Sequence, residues 1–269
     1  MPNFLNISLF VFAFALVFAA PEADWDDKTE PGNAMTEKTI FYDLAGNIVP
    51  IKIQRYGEKN NLVFISLHDD EITAVDATKR ILREHGGMLI ELENNAQRNI
   101  RFKLGKHVYK VDPNTIFSKE GIKKSLEQFE RTSVKAVNEV EKLGRRIIQL
   151  IPGNARCIVA LHNNTPDFYS VSEYAPGNKR SVDCKKIYIN DEQDADDFFL
   201  TTDNNLYENL AGKRYNVILQ DNKNCTNDGS LSVYCGKKNI RYINCETEHG
   251  KSAQYYEMMK ALVAFFENN

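Results

Sequence analysis

Blocks of apolar residues alternate with amphipathic stretches along most of the chain. Short apolar runs, typical of buried strands, occupy residues 62–67, 88–92, 157–161, 186–190, 215–220 and 240–245. Apolar residues at helical spacing predict helices at 72–85, at about 120–150 and at 252–266. This alternation predicts an α/β fold, with a mixed, mostly parallel sheet flanked by helices on both faces.

Two hairpins interrupt the alternation. The first pairs 38–42 with 47–53 and turns at Ala45-Gly46-Asn47, and the second spans Lys103–Val111 with Gly105 at its turn. The 269 residues suffice for one large α/β domain or two small ones. No internal repeat divides the chain, and we expect a single domain at 37–269.

Residues 1–19 carry no charged side chain. Their apolar run from Ile7 to Phe18 is too short for a comfortable membrane span, and Val17 and Ala19 suit cleavage after Ala19. The pattern predicts a signal peptide at 1–19, a polar leader at 20–36, and a secreted protein with no membrane partner after cleavage. Because the segment has no Lys or Arg, a signal anchor is the alternative.

Secretion changes the interpretation of the cysteines, none of which belongs to a C-x-x-C pair. In an oxidising compartment we expect disulfides rather than a cysteine metal site. Cys225 and Cys235 flank a polar loop and are the simplest pair. Cys157 and Cys245 lie in strand-like runs, where buried thiols are equally plausible. Asn163-Asn164-Thr165 and Asn224-Cys225-Thr226 are glycosylation sequons.

Candidate chemistry lies where two predicted strands end. His68-Asp69-Asp70-Glu71 follows the strand at 62–67, and His162 follows the strand at 157–161. Ligands of such sheets bind outside the carboxyl ends of the strands. The H-x-x-E spacing lets His68 and Glu71 converge on one cation, and zinc accepts imidazole and carboxylate ligands readily. The alternative for each residue is a capping or hydrogen-bonding role. The formal charge of −3 gives no reason to expect a nucleic-acid partner.

A third stretch narrows the choice. The run Asp112-Pro113-Asn114-Thr115-Ile116-Phe117 resembles the Asp-Pro-Asn-Arg-x-Phe motif of zinc carboxypeptidase-like hydrolases, whose relatives include aspartoacylase and succinylglutamate desuccinylase. The order of motifs, which is His68 and Glu71, then Asn114, His162 and Glu246, is similar to that of the superfamily. The resemblance covers residues 60–266 and implies a zinc carboxypeptidase-like fold.

The resemblance implies a metal site and a base. His68, Glu71 and His162 resemble the ligands of Zn²⁺, which would activate a water molecule and polarise the scissile carbonyl. Glu246 resembles the general base, which takes a proton from that water and passes it to the leaving amine. Glu248 lies on the same face of the predicted strand and is the rival for this role.

The resemblance also implies substrate-binding residues. Asn114 resembles the residue that helps bind a substrate carboxylate. Arg98 or Arg101 resembles the arginine that polarises the carbonyl and stabilises the oxyanion, and the spacing to Asn114 favours Arg98. Tyr234, in the 228–236 loop, could line the substrate cleft. Alternatively, this loop is a disulfide-closed hairpin without a catalytic part.

One position departs from the motif: Thr115 stands where the superfamily has arginine. A hydroxyl cannot form the bidentate salt bridge that an arginine offers a carboxylate. Either another cation, such as Lys119 or Lys123, replaces it, or the substrate has no carboxylate there.

The sequence thus predicts a secreted zinc-dependent hydrolase of amide or peptide bonds, with peptides (cell-wall peptides included) or N-acyl amino acids as substrates. One alternative is a catalytically inactive binding protein on the same scaffold, and another is a zinc deacylase of N-acyl amino acids. The chain has no G-x-S-x-G elbow, no phosphate-binding G-x-x-x-x-G-K-[ST] loop and no G-x-G-x-x-G turn.

Overall fold

The computed structural model describes residues 33–57, 61–166 and 168–268. The predicted signal peptide and most of the predicted leader lie outside these residues. These residues form eleven strands: β1 Met35–Leu44, β2 Asn47–Tyr56, β3 Leu62–Ser66, β4 Gly87–Leu92, β5 Ile100–Leu104, β6 His107–Val111, β7 Cys157–Asn164, β8 Cys184–Tyr188, β9 Phe198–Thr201, β10 Asn216–Gln220 and β11 Tyr242–Glu248. The described part of the chain also forms six α-helices: α1 Ile72–His85, α2 Lys119–Gln128, α3 Val134–Leu150, α4 Asn204–Gly212, α5 Leu231–Lys237 and α6 Ser252–Glu267.

Nine strands form one twisted sheet in the order β1-β2-β4-β3-β7-β11-β9-β10-β8, and β5 and β6 form a separate hairpin. The four central strands β4, β3, β7 and β11 run parallel to one another. Antiparallel strands flank them, β2 beside β4 and β9 beside β11. The predicted fold class, a mixed and mostly parallel sheet, is confirmed.

Helices cover both faces of the sheet and bury its alternating side chains. One hydrophobic core joins α2, α3 and α5 to one face, and a second core joins α1, α4 and α6 to the other. Because the central strands are buried on both faces, β3 and β7 are almost wholly apolar up to their carboxyl ends. Polar residues that are buried at those ends therefore stand out.

The predicted helix at 120–150 is two helices. Glu130 has a left-handed backbone with φ of 73°, which ends α2. Ser133 then begins α3, and its Oγ accepts a hydrogen bond from the Ala136 amide. The prediction of one long helix was wrong because the polar side of a helix and a short polar connection look alike in sequence.

Four other elements differ from the predictions. The sequence patterns did not predict β9 or α4, and α5 begins within the predicted 228–236 loop. The strand predicted at 157–161 continues to Asn164, so His162 lies within β7 rather than after it. No helix in the described part of the chain is both long and apolar enough to span a bilayer.

All five cysteines lie in described residues and all five are free, so the predicted Cys225–Cys235 disulfide is not formed. Cys235 is buried on α5, where it packs into the core. Of the two sequons, Asn163 is buried and its side-chain amide is used by Ala74 and Thr247. Asn224 is exposed.

Candidate active site

The carboxyl ends of β3 and β7 bring three buried polar side chains together. His68 lies two residues beyond β3, and a tight turn carries the chain to Glu71, which precedes α1. His162 comes from the neighbouring strand β7. The three residues are only 1%, 1% and 4% exposed, so each contact between them is shielded from water.

The geometry of these three side chains fits a metal ion. Glu71 Oε1 lies 3.0 Å from His68 Nδ1, and Glu71 Oε2 lies 3.1 Å from His162 Nδ1. One ligand atom from each residue lies within 4.8 Å of the others. The other ring nitrogen of His162, Nε2, is buried and has no hydrogen-bond partner among the described residues. Two imidazoles and one carboxylate are a donor set that suits zinc.

The pKa shifts of His68, Glu71 and His162 also favour a bound cation. Burial alone would lower the pKa of His68, but Glu71 and Asp112 outweigh burial and raise the pKa to about 9. Burial would also lower the pKa of His162, which Glu71 raises above its ordinary value. Burial would raise the pKa of Glu71, yet the two histidines hold that pKa well below its usual range. The cluster therefore stabilises positive charge, which a divalent cation would supply in place of protons.

Asp112 joins the site although the sequence patterns gave it no role. Its Oδ1 lies 2.8 Å from His68 Nε2 and also accepts the Asn114 amide at 2.9 Å. A carboxylate on the outer nitrogen of a histidine fixes the ring's orientation and makes the inner nitrogen a better metal ligand. The available signal was its place at the head of the Asp-Pro-Asn motif.

The structure separates the two candidate arginines. Arg98 Nη1 lies 2.8 Å from Glu71 Oε1, and 45% of its side chain is exposed. Arg101 lies on β5, exposed between the buried Ile100 and Phe102. Only Arg98 is thus brought to the predicted metal ligands.

Glu246 lies beside His162 because β11 pairs with β7 in parallel and the two residues are partners in that register. Its carboxylate accepts a hydrogen bond from Asn244 Nδ2 at 3.1 Å. Burial is the main reason that the pKa of Glu246 rises to about 7; Glu71 adds to the rise and His162 opposes it. Glu248, two residues on, pairs with Lys251 at 2.9 Å.

The Asn114 turn is a short 3₁₀ helix, Pro113–Thr115, which Asp112 caps. The side-chain oxygen Oδ1 of Asn114 is buried and has no hydrogen-bond partner among the described residues. The Thr115 hydroxyl donates to the carbonyl of Asp112 at 2.8 Å, so it stabilises the turn.

Three further predicted residues lie close to this turn in sequence or in space. Lys119 and Lys123 are exposed on α2 and face Glu141 and Glu127. Tyr234 lies on α5, and its ring packs against Phe117. The structure brings none of the three into contact with His68, Glu71 or His162 among the contacts of the described residues.

Among solved structures, the chain is similar to an aspartoacylase family protein from Mesorhizobium loti, with 12% identity, a TM-score of 0.44, and coverage of 86% of this chain and 66% of that one. It is also similar to murein-tripeptide amidase MpaA from Escherichia coli O157, with 13% identity, a TM-score of 0.44, and coverage of 88% and 93%. LapA aminopeptidase from Legionella pneumophila aligns with 12% identity, a TM-score of 0.37, and coverage of 85% and 57%.

No protein-family model and no curated protein matches the chain. The chain spans just under two thirds of the aspartoacylase family protein and a little over half of LapA. These similar structures include the aspartoacylase relatives that the sequence motifs indicated. Such distant likenesses assign no activity to this chain, and the site's own geometry is what bears on its chemistry.

Proposed function

We propose that the protein is a zinc-dependent hydrolase of amide or peptide bonds. The observation that carries this proposal is the buried group of His68, Glu71 and His162, with Glu246 beside it in register on the next strand. His68, Glu71 and His162 would hold the ion. When bound, zinc lowers the pKa of a water molecule and polarises a carbonyl oxygen.

Glu246 is suited to move the proton. A general base works best when its pKa is near the operating pH, and burial raises the pKa of Glu246 to about 7. The carboxylate takes a proton from the attacking water and delivers it to the leaving nitrogen. Asn244 holds the carboxylate through Oε1 while it does so.

Arg98 is suited to stabilise negative charge on the scissile carbonyl oxygen. Its guanidinium lies at the cluster through Glu71 and is partly exposed, so it can be reached by substrate. Fixed donors aimed at a developing oxyanion are among the largest contributions to catalysis. Asp112 keeps the His68 ring in place throughout.

The substrate is proposed to carry no free carboxylate at Asn114. Thr115 turns its hydroxyl back to the main chain, and Lys119 and Lys123 face glutamates on the surface. A carboxylate there would lack the cationic fork that usually binds it. With the predicted export signal, extracellular peptides, cell-wall peptides among them, are the favoured class. Peptides with amidated C-termini should be cleaved at least as well as the same peptides with free carboxylates.

Metal analysis tests the proposal directly. The purified protein should hold about one zinc per chain, as a three-ligand site does. His162→Ala should lower that occupancy sharply, whereas His85→Ala, a histidine that instead pairs with Glu267, should not. A chelator should abolish hydrolysis of peptide substrates and added zinc should restore it. Equal zinc content in both variants, or full hydrolysis by metal-free protein, would refute the proposal.

A further inference from the structure

We infer that Asp69 is a positioning residue that holds the arginine loop, residues 93–99, against the turn that carries the metal ligands. The inference rests on the proposed function for its catalytic consequence. Asp69 lies between His68 and Glu71 in sequence but is not one of the grouped ligands. Its carboxylate faces a different part of the chain.

One oxygen of Asp69 binds two main-chain amides of the arginine loop. Asp69 Oδ2 accepts a hydrogen bond from the Asn94 amide at 2.6 Å and from the Ala96 amide at 2.7 Å. Hydrogen bonds to an ionised acceptor are shorter and stronger than those between neutral groups. Asp69 is half-buried, so these bonds are partly shielded from water.

The arginine loop has a shape that needs such an anchor. Asn95 and Ala96 both have left-handed backbones, with φ of 53° and 54°. This conformation is unfavourable for residues with a Cβ, more so for alanine than for asparagine, and it persists where the surroundings enforce it. The Asn94 side chain closes the loop by donating to the carbonyls of Gln97 and Asn99, at 2.9 Å each.

The anchored loop delivers Arg98 to the site. Two links join the turn at residues 68–71 to the arginine loop. Asp69 accepts hydrogen bonds from the Asn94 and Ala96 amides, and Glu71 lies 2.8 Å from Arg98. The Asp69 link fixes the position of the loop's main chain. This position places the Arg98 guanidinium where it can bind Glu71. Loss of Asp69 would remove the main-chain link, so that Arg98 would be joined to the turn at 68–71 only through its own flexible side chain. The metal ligands themselves would keep their places.

Amide exchange and limited proteolysis test this link without any need for activity. In Asp69→Ala, exchange at the Asn94 and Ala96 amides should accelerate by about tenfold or more. Trypsin should also cleave after Arg98 faster than in the wild type. Asp69→Asn retains an acceptor oxygen and should restore much of the protection. Asp70→Ala is the matched control, because the neighbouring Oδ1 of Asp70 accepts no hydrogen bond from a described residue, and both amides should stay protected.

Kinetics then test the catalytic consequence. Asp69→Ala should keep its zinc and lose about 10- to 100-fold in kcat, as expected for a displaced catalytic group. In an Arg98→Ala background, the same substitution should cost little more, since both act through one guanidinium. A structural defect alone would instead lower zinc content and add to the loss from Arg98→Ala.

Two results would overturn the inference: unchanged exchange at Asn94 and Ala96 in Asp69→Ala, or a freed loop with undiminished turnover. Absence of both zinc and hydrolysis in the wild type would overturn the proposed function and the catalytic part of the inference. The exchange result would still decide whether Asp69 holds the loop.

Discussion

Two glutamates on one face of β11 have very different surroundings. Glu246 is 5% exposed and is the register partner of His162 on one side and of Phe198 on the other. Glu248 lies at the strand end, where Lys251 neutralises it. The burial of Glu246 therefore fits its proposed role as proton carrier, whereas Glu248 is an ion-pair partner at the strand end.

Substitution of each glutamate by glutamine separates these roles. Glu246→Gln should keep zinc and lose turnover by about 10²- to 10⁴-fold, the usual contribution of general acid–base catalysis. Glu248→Gln should be much milder, because it weakens only a pair with Lys251. Turnover and zinc content measured side by side give the answer. Loss of turnover in Glu248→Gln, with normal turnover in Glu246→Gln, would show that Glu248 is the base.

The charge balance of the metal cluster predicts how the metal-free protein responds to pH. Its neighbours raise the pKa of His68 from 6.5 to about 9 in the folded state. The protonated ring therefore stabilises the fold fully below pH 6.5, and that contribution is lost as pH rises through about 9. The rise in the pKa of His68 corresponds to a contribution of about 3 kcal/mol to the free energy of unfolding.

Chelator-treated protein should thus lose stability to urea between pH 6.5 and 9. His68→Gln, which removes the titrating ring, should flatten that slope. Zinc-loaded protein should show little of it, because the metal replaces the proton. An equal slope in metal-free wild type and His68→Gln would contradict the assigned cause.

The helices show where sequence patterns no longer identify the secondary structure. The break between α2 and α3 depends on the backbone of Glu130 and the cap at Ser133, both of which lie among polar residues. The short α5 follows an Asp-Gly-Ser run that looks like a loop. Its first turn is capped by Ser230, and its position depends on contacts of Gly229 with residues over 100 positions away.

The candidate site also contains residues that sequence patterns indicate and residues that they do not. The grouping of His68, Glu71 and His162 could be predicted, because each follows or ends an apolar run. Glu246 was indicated only by the resemblance of the motif order, and its role stays a prediction. The contacts of Asp112 and Asp69 could not be predicted, because no sequence pattern indicates the partner of either carboxylate, 44 and 25 residues away. Such pairings become visible only when the sheet has brought its strand ends together.

Close contact between two glycines fixes the Asn114 turn and gives a test at this scale. A Cβ at Gly121 would overlap the main chain of Asp228 and Gly229 and the carbonyl of Thr115. Gly121→Ala should therefore destabilise the fold by about 1–3 kcal/mol, and it should lower turnover by moving Asn114.

The matched control is another helical glycine with open space around it. Gly212→Ala, on α4, meets nothing within 4 Å and should stabilise the protein by about 0.5–1 kcal/mol. Urea unfolding of both variants measures the difference. A neutral Gly121→Ala would mean that the loop at 228–229 yields easily and does not fix the turn.

The number of free thiols in the protein can be measured. The structure leaves Cys157, Cys184, Cys225, Cys235 and Cys245 free. Alkylation of the unfolded, unreduced protein should accordingly label five thiols per chain by mass spectrometry. A count of three or fewer in material collected outside cells would instead favour a disulfide and an oxidising compartment.

The position of β11 in the sheet has a consequence for the newly made chain. Among the strands of the described residues, β11 is the last in chain order, yet it lies between β7 and β9 near the middle of the sheet. Until residues 242–248 have left the ribosome, the half-sheet that ends at β7 has an open edge and cannot join the other half. The nascent chain also lacks Glu246 during all that time. Under the proposed mechanism, the site therefore lacks its base until β11 has been made and has inserted between β7 and β9.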